Sequence, residues 1–242
     1  SPRASPRSQG ASAVADVNLQ GARALPPGKH LRTSGRVTAP PGVLGKGVFS
    51  IADVSAGQTR SSGIYVVVSE GEPPSLAVGD FVALQGVVSR SRGEFRLRAR
   101  GSDIRSLGTR APVDPMEMTT GRLGEDVEGM LVRVRGTVLR RSGNAFTLDD
   151  DSGPARVVVK KTTGWTLPPL KRGASVRVAG IVSQAGDTYR ILPRFSEDLL
   201  VERVGSARAS RSAKVSNVSP RSSRAGVERA QTKERGERGV SP

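Results

Sequence analysis

Residues 93–100 read GEFRLRAR, in which Phe95, Leu97 and Ala99 alternate with Arg96, Arg98 and Arg100. Strict alternation over this length predicts a half-buried β-strand with one apolar face and one face of guanidinium groups. Short runs of the same kind, many rich in Val, recur along the chain. They predict strands over residues 30–38, 47–53, 63–69, 80–90 and 94–105, and again over 130–139, 144–149, 154–161, 174–183 and 187–193. Turn signals punctuate them, among them Pro40-Pro41-Gly42, Arg92-Gly93, Ser142-Gly143 and Gly186-Asp187. Residues 18–25 and 120–128 precede the first strand of each set and read as a short helix or turn closed by a glycine.

The two sets are copies of one unit. Gly28 to Gly35 answers to Gly129 to Gly136, and Phe49-Ser-Ile-Ala-Asp53 to Phe146-Thr-Leu-Asp-Asp150. Tyr65-Val-Val-Val answers to Arg156-Val-Val-Val, and Gly79 to Ser89 matches Gly173 to Ser183. Phe95-Arg-Leu aligns with Tyr189-Arg-Ile, six residues past the matched serine in both. This many matches in order mark a duplication.

Each copy has five short strands with a glycine inside the first and the fourth. Glycine weakens a strand unless the strand bends sharply, as it does at the corner of a small barrel. The predicted fold class is therefore all-β, as two tandem five-stranded Greek-key barrels of the OB type. Barrel 1 is placed at residues 13–110 and barrel 2 at 111–203. Residues 1–12 and 204–242 are rich in Ser, Arg and Gly, lack apolar periodicity, and are expected to be disordered.

With the segments MEMTTGRLGEDVEGMLVRVRGTV, KKTTGWTLPPL, GIVSQ and RILPR, the pair of copies resembles the tandem OB-fold modules of bacterial nucleic-acid-binding proteins. The resemblance covers residues 15–203. It implies nucleic-acid binding, and an exported or cell-surface location beside nuclease or lamin-tail-like domains. The chain starts at Ser1 rather than Met, which suits a segment or a processed form.

Charge agrees with a polyanionic partner. The formal charge is +16, of which residues 1–29 supply +3 and residues 203–242 supply +7, leaving +6 between them. Nucleic acid, acidic polysaccharide and anionic membrane all remain open on charge alone. No run approaches a membrane span, and no signal-peptide pattern stands at the start.

OB-folds hold ligands across the second and third strands, rimmed by the first and last hairpin loops. Parity points Arg32, Ser34 and Arg36 outward in copy one, buries Phe49 and Ile51, and exposes Tyr65 on the expected binding face. In copy two it points Arg133, Arg135, Arg156 and Lys160 outward. The expected nucleic-acid contacts in copy one are Arg32, Arg36, Lys46, Tyr65, Arg90 and Arg92, with Arg96, Arg98 and Arg100 flanking. In copy two they are Arg133, Arg135, Arg140, Arg141, Arg156, Lys160 and Lys161, with Trp165 as a further ring. Only eight residues are aromatic, and Phe49, Phe81, Phe95, Phe146 and Tyr189 read as core. Phosphate contact with low sequence preference is expected over base stacking, with single-stranded DNA or RNA as the favoured partner. The alternatives are an exported scaffold that binds protein or acidic polysaccharide, and an accessory segment of a larger nuclease.

Catalysis and cofactors find no support in the sequence. The chain has no cysteine and one histidine, His30, so neither a thiolate metal site nor a zinc cluster can be assembled. The run Asp149-Asp150-Asp151 lacks calcium-loop spacing and reads as turn chemistry. Gly42-Val-Leu-Gly45-Lys46-Gly47 lacks the spacing of a phosphate loop and runs into a strand.

Overall fold

In the computed structural model, two five-stranded barrels follow one another along the chain. Residues 14–53 and 62–202 are described, so the expectations for residues 1–12 and 204–242 lie outside the described residues. The first barrel is built from β2 (His30–Ala39), β3 (Val48–Asp53), β4 (Ser62–Glu70), β5 (Asp80–Ser91) and β6 (Glu94–Arg100). Its strand order is β2-β3-β4-β6-β5, closed by pairing of β5 with β2, and the β4–β6 contact is parallel. The second barrel repeats this order with β9 (Leu131–Ser142), β10 (Ala145–Asp149), β11 (Ala155–Val158), β13 (Thr188–Leu192) and β12 (Ser175–Ala185), closed by β12 on β9. Both are OB-type barrels.

Alternation fills each barrel as parity expects. Phe49, Ile51, Ile64, Val66 and Leu97 are fully buried in the first core; Val132, Val134, Leu148, Val157 and Ile191 are in the second. Inside the strands, glycines let neighbours approach. A Cβ on Gly136 would lie 2.7 Å from the Asp149 carbonyl oxygen, and one on Gly86 would lie 2.7 Å from that of Arg98. The β5–β6 turn places Arg92 at φ 52° and Gly93 at φ 89°. Two positive φ values at a two-residue hairpin match the right-handed twist of the strands it joins.

Four flanking strands are not separate elements in the sequence reading, although the start of one lies within the strand expected over 94–105. β1 (Ala15–Asp16) and β8 (Met116–Glu117) run parallel to β2 and β9, while β7 (Ile104–Thr109) and β14 (Leu199–Glu202) run antiparallel to β5 and β12. The predicted single strand over 94–105 is broken at Gly101, which passes so close to the Glu72 carbonyl that a Cβ there would collide with it. Residues 18–25 form the short helix α1 (Leu19–Arg23), capped by Asn18 through a 2.7 Å bond from the Gly21 N–H. Residues 120–128 form two 3₁₀ turns instead.

The barrels share a third apolar cluster of Ala39, Leu44, Tyr65, Leu131, Ile181 and Leu192. Polar contacts ring it. The Tyr65 hydroxyl donates to the Val182 carbonyl at 3.1 Å, and Arg194 donates to the Thr38 carbonyl at 2.6 Å. Arg23, from the last turn of α1, donates to the Glu128 carbonyl at 3.0 Å and the Glu125 carbonyl at 2.9 Å. Buried Glu128 accepts the Phe95 N–H at 2.7 Å. Each of these groups finds a partner across the seam, which offsets its desolvation.

Candidate functional site

The site follows from one register. In the second barrel Arg140 pairs with Thr147, Thr147 with Arg156, Arg156 with Arg190, and Arg190 with Ser183. Directly paired residues face the same side of a sheet, so one row crosses the barrel's outer surface. Three guanidinium groups stand in it over four strands, a span of about 14 Å at the usual strand separation. Arg140 and Arg156 are exposed, and Arg190 is half-buried.

The first barrel has the same row with different residues: Ala39, Ser50, Tyr65, Arg96 and Ser89. Here the row is closed. Tyr65 is 2% exposed and Ser50 is fully buried, its hydroxyl 2.7 Å from that of Thr38. The expectation that Tyr65 lies open on the binding face is therefore corrected. Parity did point the ring out of its own barrel, but the second barrel covers it. Burial, reinforced by the charge of Glu94, holds its phenol well above the usual tyrosine range.

The expected cations divide by their partners. Arg133 pairs with Glu117 at 2.9 Å, Arg135 with Glu202 at 2.7 Å, Arg100 with Glu70 at 3.1 Å, Arg96 with Glu94 at 3.2 Å and Arg90 with Glu125 at 3.5 Å. Arg32 bonds Gln85, and Arg36 donates to the Ala111 carbonyl at 3.0 Å. By contrast Lys46, Arg92, Arg98, Arg140, Arg156, Lys160 and Lys161 have no ion pair among the described residues. Arg141 has no acidic partner among the described residues either; it donates to the Leu167 carbonyl at 3.2 Å. Five of these eight lie in or beside β9, β10 and β11.

Lys160 extends the row toward the first barrel. Burial lowers its pKa, and the neighbouring charges of Arg190 and Arg96 push the same way against the opposing pull of Glu94. Four charged groups from both barrels thus meet at this seam. Glu94 itself is buried; it accepts from Ser183 at 3.0 Å and Arg96 at 3.2 Å, and desolvation raises its pKa. Lys46 sits in the loop 40–47, which is anchored to the second barrel by a 2.8 Å bond from the Thr162 hydroxyl to the Val43 carbonyl, next to Lys161. Arg92 lies where the two last hairpins touch, its carbonyl accepting the Gly186 N–H at 2.9 Å.

Arg190 is absent from the sequence-based set, although its counterpart Arg96 is in it. The signal was the repeat itself, which aligns Tyr189-Arg-Ile with Phe95-Arg-Leu. Trp165 is half-buried, packed on the second core beside Leu167. None of the eight aromatic side chains is exposed.

The acidic run is a turn. Asp149 accepts the N–H groups of Asp151 at 2.9 Å and Gly153 at 3.1 Å, and Asp150 accepts the Thr120 hydroxyl at 2.7 Å. Partial burial pushes the Asp150 carboxyl up, but hydrogen bonds from Ser152 and Thr120 outweigh it and bring the pKa to about 2. Among the described residues no group of three or more His, Cys, Asp or Glu is placed to hold a metal ion.

No family model matches the chain, and no curated protein matches it. Among solved structures, tetrameric p202 HIN2 is similar over 73% of this chain and 93% of its own, at 17% identity and a TM-score of 0.32. A murine DNA-binding protein bound with double-stranded DNA matches 71% of this chain and 97% of its own, at 11% identity and a TM-score of 0.35. The single-stranded DNA-binding protein from Thermus aquaticus matches 74% and 95%, at 16% identity and a TM-score of 0.27.

Proposed function

We propose that this chain binds single-stranded DNA or RNA through the phosphate backbone, along the outer face of the second barrel, and catalyses no reaction on it. The observation that carries the reading is the row Arg140–Thr147–Arg156–Arg190, with Lys160 and Lys161 beside it and no ion pair among the described residues for any of these cations. A cation beside a carboxylate gains less from a phosphate, because the carboxylate offsets its field and repels the incoming charge. An unpaired one releases a condensed counterion from the strand and gains the full term. The first barrel serves as support: its equivalent row is the surface on which the second barrel is mounted. Arg98 on β6, exposed and without an ion pair among the described residues, extends the basic surface beyond the seam.

The absence of exposed rings leaves base stacking little part in affinity, which favours weak sequence preference. The same feature favours a second reading, in which the row receives the sulfates or carboxylates of an acidic polysaccharide. Fluorescence anisotropy separates the two. A labelled single-stranded oligonucleotide is titrated with the full chain and with an Arg140→Ala/Arg156→Ala/Lys160→Ala variant. Loss of at least tenfold in affinity supports the reading. Unchanged binding overturns it, and displacement of the oligonucleotide by far less polysaccharide than competitor DNA favours the second.

A further inference from the structure

One end of the basic row is not basic. Arg190 is directly paired with buried Ser183, and the Ser183 hydroxyl donates at 3.0 Å to Glu94 of the first barrel. Among the described residues this is the one carboxylate bonded to a residue of the row. The repeat aligns Glu94 with Thr188, so the acid is no part of the duplicated pattern.

Glu94 is 3% exposed, and a charge so far from water is poorly screened from its neighbours. Arg96 on its own strand bonds it at 3.2 Å and offsets part of its field. Its charge also acts on Tyr65 of β4, on Glu128 ahead of β9, on Lys160 beyond β11 and with Arg190 of β13. Arg190 and Lys160 belong to the proposed strand path. A phosphate that reaches them meets Glu94 behind the Ser183 hydroxyl, and the two negative charges repel. Desolvation raises the Glu94 pKa above the ordinary 4.5, against the pull of Arg96, Ser183 and Arg190. The burial that leaves the charge unscreened thus also eases its protonation.

We infer that Glu94 is a brake on strand binding: ionised, it weakens the hold of Arg190 and Lys160 on phosphate, and neutralised, it releases them to grip. This rests on the proposed nucleic-acid reading and adds regulation by acid to it. By linkage the coupling also runs backward, and a bound strand raises the Glu94 pKa further, so binding takes up a proton. Affinity therefore rises as pH falls and levels off below the pKa of the free protein.

An oligothymidylate carrying a pH-insensitive dye is titrated with the full chain and with Glu94→Gln, at about pH 8 and about pH 4.5. Thymine does not ionise in acid, and the glutamine amide oxygen still accepts the Ser183 hydroxyl. At the higher pH the variant is expected to bind about three- to tenfold more tightly than the parent. At the lower pH the difference is expected to close, as the parent's carboxyl takes up its proton. No tighter binding by Glu94→Gln at the higher pH, or an equal difference at both, overturns the inference while the nucleic-acid reading stands. Parent affinity that does not rise in acid overturns it without the variant, should the variant fail to fold. Absence of binding under every condition overturns both.

Discussion

The hydroxyl of Tyr65 in the first barrel donates a 3.1 Å hydrogen bond to the carbonyl of Val182 in the second. This one contact joins the position equivalent to Arg156 to the other copy of the repeat. One face of one fold thus has two fates in this chain. In the first copy it carries Ser50 and Tyr65 and is a docking surface; in the second it carries Thr147 and Arg156 and stays open.

Tyr65→Phe keeps the ring in the shared cluster and removes the bond. The expected cost is about 1 kcal/mol of stability, since the Val182 carbonyl loses a partner in a dry site. Tyr65→Ala empties the cluster and is expected to cost about 3–5 kcal/mol. Denaturant melts give both values. Tyr65→Phe should leave oligonucleotide affinity unchanged; a large loss would return Tyr65 to the binding face.

Arg156 and Arg135 are both exposed arginines of the second barrel, but only Arg135 is engaged, with Glu202 at 2.7 Å. Arg156→Ala is expected to weaken single-strand binding several-fold and to reduce the slope of log affinity against log salt by about 0.7. Arg135→Ala should change neither. Anisotropy over a series of salt concentrations tests the pair, and equal losses would show that bulk charge, not pairing, selects the contacts.

Asp150 ties the 3₁₀ turn at Thr120 to the end of β10. Its folded pKa of about 2 lies below the ordinary aspartate value of 3.8. The stability it contributes is therefore present above 3.8 and is lost as pH falls toward 2. Asp150→Asn should lower the melting temperature at neutral pH, and the gap to the parent protein should narrow through that acid window. A gap independent of pH would assign the effect to lost geometry and not to the charge.

Gly63 and Gly129 pass backbone to backbone, so that a Cβ on Gly63 would overlap the Gly129 carbonyl. Gly63 is not at a positive φ, which makes Gly63→Ala a test of close approach alone. Overpacking of this kind is expected to cost about 1–3 kcal/mol, read as a shifted denaturation midpoint. An unshifted midpoint would mean that the two barrels can separate at this point without penalty.

The barrels were legible because alternation, turn residues and the strand glycines all agree, and because the repeat doubles every signal. Predicted strands at 30–38 and 80–90 became His30–Ala39 and Asp80–Ser91. The flanking strands were not legible: β1 and β8 have two residues each, too few to show a period. The site was half legible. Parity tells which side chains leave a barrel, as it did for Arg156 and Lys160, but not what lies on the other side. Tyr65 leaves its barrel and enters another, and Arg133 and Arg135 leave theirs to meet Glu117 and Glu202. Those partners come from strands that carry no sequence signal of their own.

The central claim is that the open row of the second barrel, and not the closed row of the first, holds the strand. Amide hydrogen exchange on the full chain, with and without a single-stranded oligonucleotide, tests it without any substitution. Added protection is expected across residues 138–148, 155–165 and 188–192, with β2, β3 and β4 unchanged. Protection confined to β2, β3 and β4, with residues 138–165 unaltered, would contradict it.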